Sequence, residues 1–153
     1  MALARILRAD KKPKIILFDI ETSPNVSYTF GGKYEVNVIE FVQPWYMLSF
    51  AWKTLGRDDI RAYSLPMFKG YKEDKRNDEA LGRKLWEIMS DADIPIGHNV
   101  DAFDQKMSFA RFVKHGFSPP APSQTIDTLK LARKHFKFPS NKLDELGKYL
   151  GVG

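Results

Sequence analysis

Two carboxylates spaced two apart, Asp19 and Glu21, close an apolar run that begins after Lys14: Ile15-Ile16-Leu17-Phe18, then Asp19-Ile20-Glu21-Thr22. A short apolar run rich in β-branched residues predicts a buried β-strand. Side chains alternate faces along a strand, so positions i and i+2 point the same way. Neighbouring carboxylates repel unless a cation lies between them. Held on a rigid central strand, such a pair is a platform for Mg²⁺ or Mn²⁺, which prefer oxygen ligands. Standing alone, the same pair reads as a polar strand end entering a turn, so its meaning depends on its company.

That company is a second string, Ile96-Gly97-His98-Asn99-Val100-Asp101-Ala102-Phe103-Asp104. It joins a short strand to a helix. Gly97 lets the backbone come close to something else, His98 and Asn99 sit at the mouth, and Asp104 falls just inside the helix, aimed back toward the strand end. The plainer alternative makes Asn99 or Asp101 the helix cap and Asp104 a first-turn acid favoured by the helix dipole. That accounts for Asp101. It leaves His98-Asn99 and Phe103-Asp104 together unexplained.

The elements that must position these residues follow from pattern. Residues 1–13 are basic and predict a loose arm or first short strand. Pro24, Asn25 and Gly31-Gly32 predict a turn or exposed loop within 23–42, with Val38 to Val42 extended. Residues 45–53 read as a long aromatic-rich strand, and 60–65 as its hairpin partner across a turn at Gly56 and Asp58-Asp59. A loop covers 66–77. Leu81, Leu85, Ile88 and Met89 recur at helical spacing after a cap at Asn77 or Asp78. Residues 93–98 predict a short strand, and 101–115 an amphipathic helix with Phe103, Met107, Ala110 and Phe112 on its apolar face. Thr125 to Asp127 predict a fifth strand leading into a helix to about Phe136. A last helix opens at Ser140 or Asn141 and closes at Gly151. This order predicts one α/β domain with a mixed sheet, parallel after the hairpin.

Composition bounds the partners. At 153 residues, 43% hydrophobic and 13% aromatic, the chain is a single globular domain with room for a core. It has no cysteine, which removes disulfides, thiolate metal sites and cysteine nucleophiles and fits a reducing cytosol. No apolar run is long enough to cross a bilayer, and Arg5 and Arg8 interrupt the short apolar start. A net charge of +5 favours anionic partners such as nucleic acid. Lys130, Arg133, Lys134, Lys137 and Lys142 surround His135, Phe136 and Phe138, a mixture that suits phosphates and unpaired bases. The same stretch can equally be a solvated helix face with two core phenylalanines.

Phe18-Asp-Ile-Glu-Thr22 followed by Gly97-His-Asn-Val-Asp-Ala-Phe-Asp104 resembles the first two motifs of the DEDD superfamily of 3′–5′ exonucleases, which includes polymerase proofreading domains. The second motif carries one residue more than the usual His-Asn-x-x-Phe-Asp. Thr125–Arg133 and Lys142–Leu146 resemble the strand and helices that follow, so the resemblance spans nearly everything from residue 14. It implies a ribonuclease H-like α/β fold, a mixed five-stranded sheet flanked by helices. It implies two-metal hydrolysis of phosphodiester bonds at the 3′ end of DNA with Mg²⁺ or Mn²⁺, in which Asp19, Glu21 and Asp104 bind the metals. Thr22, His98, Asn99 and Phe103 are the substrate-binding candidates. The implied partners are single-stranded DNA 3′ ends and a polymerase or replication protein, with no membrane, in the cytoplasm of a bacterium or phage-infected host.

One departure stands out. The resemblance calls for a fourth acid in Tyr-x-x-x-Asp or His-x-x-x-x-Asp on a later helix, and neither Tyr149 nor His135 is followed by such an Asp. The sequence reads as an exonuclease domain, residues 1–153, that stops before that helix. Asp127 and Asp144 are substitutes by residue type; the first also reads as a helix cap and the second as a first-turn acid. Alternatives to the exonuclease are a catalytically weak nucleic-acid-binding domain and an RNA-trimming ribonuclease H-like nuclease.

Overall fold

The computed structural model describes residues 12–31, 37–121 and 123–152. The expected arm at residues 1–13 lies outside this range except for Lys12 and Pro13, which have no regular structure. The described elements are β1 (Ile15–Thr22), β2 (Val26–Thr29), β3 (Val38–Gln43), β4 (Met47–Thr54), β5 (Arg61–Ser64), α1 (Glu79–Asp91), β6 (Ile94–Gly97), α2 (Asp104–Lys114), β7 (Ile126–Asp127), α3 (Thr128–His135) and α4 (Leu143–Leu150). Five strands form one mixed sheet in the order β5-β4-β1-β6-β7. β4 runs antiparallel to β1 and β5, whereas β6 is parallel to β1 and β7. The predicted α/β class, hairpin and five-stranded sheet are all present.

The period-2 pattern of β1 explains its central place. Ile16, Phe18 and Ile20 are buried on one face. They pack with Met47 and Phe50 of β4 against Leu81, Leu85, Ile88 and Met89 of α1 and Phe112 of α2. Each such side chain contributes roughly 1.5–3 kcal/mol when fully buried. The helical spacing seen in α1 is therefore its core face.

Two expectations shift. The segment 23–42 contains a two-stranded ribbon, β2 with β3, and not only the one extended piece. Its register slips twice, which blurs the alternation that would announce a strand. The helix predicted from residue 101 starts at Asp104, because residues 99–103 are held in turns by contacts described below. Its buried positions are Asp104, Ser108, Arg111 and Phe112, while Ala110 and Phe103 are exposed.

Buried Arg111 has a specific partner. Its Nε donates to Asp78 Oδ2 (2.6 Å) and its second guanidinium arm to Asp78 Oδ1. Asp78 also accepts the Met47 N–H (2.7 Å) and meets His115 Nε2 at 2.7 Å. Burial alone would raise the Asp78 carboxyl, but these hydrogen bonds outweigh it and hold it below the usual carboxylate range. The cluster pins α1, α2 and the start of β4. Asn77, not Asp78, accepts the Glu79 N–H at the head of α1 (3.1 Å).

Candidate active site

The odd residues of β1 face away from α1 and α2. Asp19 and Glu21 are exposed, and their register partners on β4 are the small residues Ala51 and Ser49, which leave space above the sheet. A groove of about 410 Å³ is lined by Asp19 together with Gly97, His98, Thr128 and Leu143. A second depression of about 250 Å³ lies over Ser49 and Tyr63 and is bordered by both Asp19 and Glu21. Partial burial, and after it the charge of Glu21, raises the Asp19 carboxyl above the usual range.

Asp104 comes to this strand through a gap in the sheet. β6 pairs with β1 only along Ile15 to Leu17. Where β6 has turned away, Asp104 Oδ1 accepts the Ile20 N–H at 3.1 Å. One peptide link separates that N–H from Asp19, so the carboxylate oxygen lies within about 5.5 Å of the Asp19 Cα. Asp104 is 2% exposed. Burial first, opposed by the Ile20 N–H and reinforced by the charge of Asp19, pushes its carboxyl up to about 6. No ion pair engages Asp19, Glu21 or Asp104 among the described residues.

Gly97 makes the approach possible. A Cβ there would stand 2.8 Å from Val100 Cβ and 3.2 Å from the Phe18 carbonyl oxygen. Asn99 follows with φ 69°, a left-handed conformation that Asn tolerates better than most residues. Asp127 holds this loop. Its carboxylate accepts the N–H groups of Asn99 (3.0 Å) and Asp101 (3.3 Å), and also caps α3 through Leu129 (3.0 Å) and Lys130 (3.3 Å). Asp127 is thus committed to backbone donors. Asp144, exposed on α4, pairs with Lys148 at 2.7 Å. Asp101 is not a helix cap: it accepts from Thr125 Oγ1 and from Lys130 Nζ (2.7 Å).

The remaining candidates divide. His98 uses both ring nitrogens within the protein, Nδ1 at 3.0 Å from Thr128 Oγ1 and Nε2 at 2.8 Å from the Asn141 carbonyl oxygen. A carbonyl only accepts, so Nε2 carries a proton. This histidine ties the end of β6 to the entry of α4. The Asn99 side chain has no hydrogen-bond partner among the described residues. Phe103 is 40% exposed at the head of α2, and half-buried Thr22 ends β1 beside the pair. The holding role of Asp127 escapes the sequence reading, since its partners lie 26 and 28 residues away and nothing in local spacing signals them.

Among the described residues no three His, Cys, Asp or Glu side chains stand close enough to hold one ion together. The donor chemistry still suits a hard divalent cation: carboxylates without ion pairs among the described residues, two of them held above their usual protonation range. No helix among the described residues is long and apolar enough to cross a membrane.

No protein-family model and no curated protein matches the sequence. Solved structures do match. A family B DNA polymerase from the archaeon Pyrobaculum calidifontis superposes with a TM-score of 0.64 at 16% identity, over 94% of this chain and 19% of the polymerase. E. coli exonuclease I in complex with a dT13 oligonucleotide gives 0.63 at 14% identity, over 93% of this chain and 36% of the exonuclease. Its zinc-bound form with single-stranded DNA gives 0.60 at 14% identity, over 93% and 36%. The chain therefore spans about a fifth of the polymerase and just over a third of the exonuclease. Its architecture is the ribonuclease H-like α/β fold of these polymerase and exonuclease structures, the fold that the two sequence motifs implied.

Proposed function

We propose that this chain is a divalent-metal-dependent 3′–5′ exonuclease domain acting on single-stranded DNA ends. The observation that carries the reading is the uncompensated carboxylate set on β1. Asp19 and Glu21 stand on the open face of the central strand, with Asp104 brought to the same strand by the Ile20 N–H. Asp19, Glu21 and Asp104 would between them hold two Mg²⁺ or Mn²⁺ ions, no three of the described acids being close enough to share one. Bound there, the metal supplies charge neutralisation and a lowered pKa for the attacking water. The chain's own groups orient the substrate. Phe103 offers a ring face to the terminal base, and Asn99 and Thr22 offer polar contacts to its sugar and phosphate. His98 acts indirectly by holding Asn141 and the groove wall.

A second reading has its own support. Among the described residues no three acidic or histidine side chains stand close enough to share an ion, which fits a weakly catalytic single-strand-binding domain. One experiment separates the two. A 3′-labelled linear DNA strand and a circular one are incubated with Mg²⁺ or Mn²⁺, and released nucleotides are counted over time. Metal-dependent release from the linear strand alone supports the exonuclease. Binding without release supports the second reading, and cleavage of the circle points to an endonuclease. Adding a C-terminal segment that carries Tyr-x-x-x-Asp then measures how much a fourth acid contributes; general-base help is typically worth 10²–10⁴-fold, as a rough range. An RNA strand in parallel reads sugar preference.

A further inference from the structure

An exposed aromatic stack lies between α3 and α4, outside the lining of the groove that Asp19 borders. Phe136 and Phe138 follow α3 and stack at 5.1 Å between ring centroids, with 24° between planes. Tyr149 of α4 meets Phe138 edge-on at 5.6 Å. Phe136 is 61% and Tyr149 63% exposed, so this cluster is no part of the core. Its charge surroundings are one-sided. Between Asp127 and Asp144 the chain has no acidic residue. Arg133, Lys134, Lys137 and Lys142 fall in that interval, and none forms an ion pair among the described residues. Lys130, in the same interval, and Lys148, beyond it, are both paired with acids.

We infer that this aromatic and cationic surface is a second subsite, which binds the single strand upstream of its 3′ end. The inference rests on the nuclease reading for the identity of that end. An aromatic face stacks on any base and cations take the phosphates, the combination that suits an unpaired strand. Its placement fits. Leu143 and His98 line the same groove as Asp19, and His98 holds Asn141 at 2.8 Å. Phe138 is three residues before Asn141, at most about 11 Å of backbone. A strand leaving the carboxylates reaches the stack within a few nucleotides.

The test uses fluorescein-labelled dT12, dT3 and an abasic 12-mer, in EDTA so that nothing is cleaved, with anisotropy as readout. Phe136→Leu keeps apolar bulk and should weaken dT12 binding about tenfold, leaving dT3 and the abasic strand unchanged. Lys137→Gln should weaken dT12 and the abasic strand alike and reduce the salt slope by about 0.7. Unaltered dT12 binding by Phe136→Leu overturns the subsite, as does an equal loss on the abasic strand, failure of the unsubstituted chain to bind dT12, or a change only in self-association, which would mark a protein interface. Mn²⁺-dependent hydrolysis of the p-nitrophenyl ester of thymidine 5′-monophosphate reads the carboxylates alone. Its absence sinks the nuclease reading and leaves the binding result standing; its persistence beside unaltered dT12 binding sinks only the subsite.

Discussion

Strand β1 carries two surfaces with opposite fates. Ile16, Phe18 and Ile20 are 0%, 4% and 3% exposed and sit under α1 and α2. Leu17, Asp19 and Glu21, interleaved with them, look onto a groove, bordered by Thr128 of α3 and Leu143 of α4, and a shallow depression. The same backbone thus serves stability through one face and, in the proposed reading, chemistry through the other. Rigidity comes from the covered face: β1 is hydrogen-bonded to β4 along its length, and its buried side chains fix its position. Two repelling carboxylates can be held side by side because the stabilisation lies on the opposite face of the strand.

Substitutions on the two faces should therefore have separable effects. The largest is expected on the open face. Asp19→Asn should lower metal-dependent nucleotide release by about 10³-fold, comparable to or beyond the loss of a single transition-state contact, while the urea midpoint holds or rises. Release at the unsubstituted rate would remove Asp19 from the chemistry. On the covered face, Phe18→Ala should cost about 3–5 kcal/mol of stability, read from urea unfolding, with activity per folded molecule retained. A similar stability loss for Leu17→Ala would blur the distinction.

Asp104 meets β1 at its edge, through the Ile20 N–H, and sharpens the contrast through pH. Its carboxyl is pushed up to about 6 from an ordinary 3.8, so the folded chain binds that proton more tightly than the unfolded one. Stability of the metal-free protein should then be greatest below the ordinary value and fall as pH rises through about 6, by on the order of 1–3 kcal/mol. Asp19, also raised, acts in the same direction. Asp78, lowered, acts in the opposite sense, but only below pH 3.8. Asp104→Asn can still accept the Ile20 N–H and should flatten the pH profile while abolishing activity. Melting in EDTA from pH 4.5 to 8 reads the effect, and a melting temperature independent of pH would show that Asp104 is not held in a charge-averse site. Mg²⁺ should restore stability at pH 8, because it binds the ionised carboxylates of the folded state.

The smallest effect concerns the gap that admits Asp104. Gly97→Ala must move Val100 or the end of β6, since the new Cβ would stand 2.8 Å from Val100 Cβ. A loss of about 1–3 kcal/mol is expected, with a larger proportional fall in activity than in stability. Unchanged activity would mean that β6 can shift without disturbing the carboxylates.

The buried Arg111–Asp78 pair illustrates why the periodicity of α2 misleads. Counting apolar residues puts Phe103 and Ala110 inward, yet long-range pairing turns Asp104 and Arg111 inward instead. A buried charge is acceptable only when its partner is supplied by another element, and that partner is invisible in local spacing.

By itself the sequence determined the strand that bears Asp19 and Glu21, their shared face, the succession of α/β elements along the chain and a glycine, Gly97, placed for close backbone approach. These follow from period-2 alternation, apolar run length and the absence of a Cβ, all of them local properties. Tertiary structure alone decided the rest. Asp127 is spent on the N–H groups of the His98-Asn99 loop, and His98 itself is spent on Thr128 and Asn141. Phe136 was left outside the core, and Asp104 was seated on the Ile20 N–H. Each of these depends on which donor, acceptor or apolar surface arrives from a distant part of the chain, and only packing of the whole domain brings those groups within contact distance.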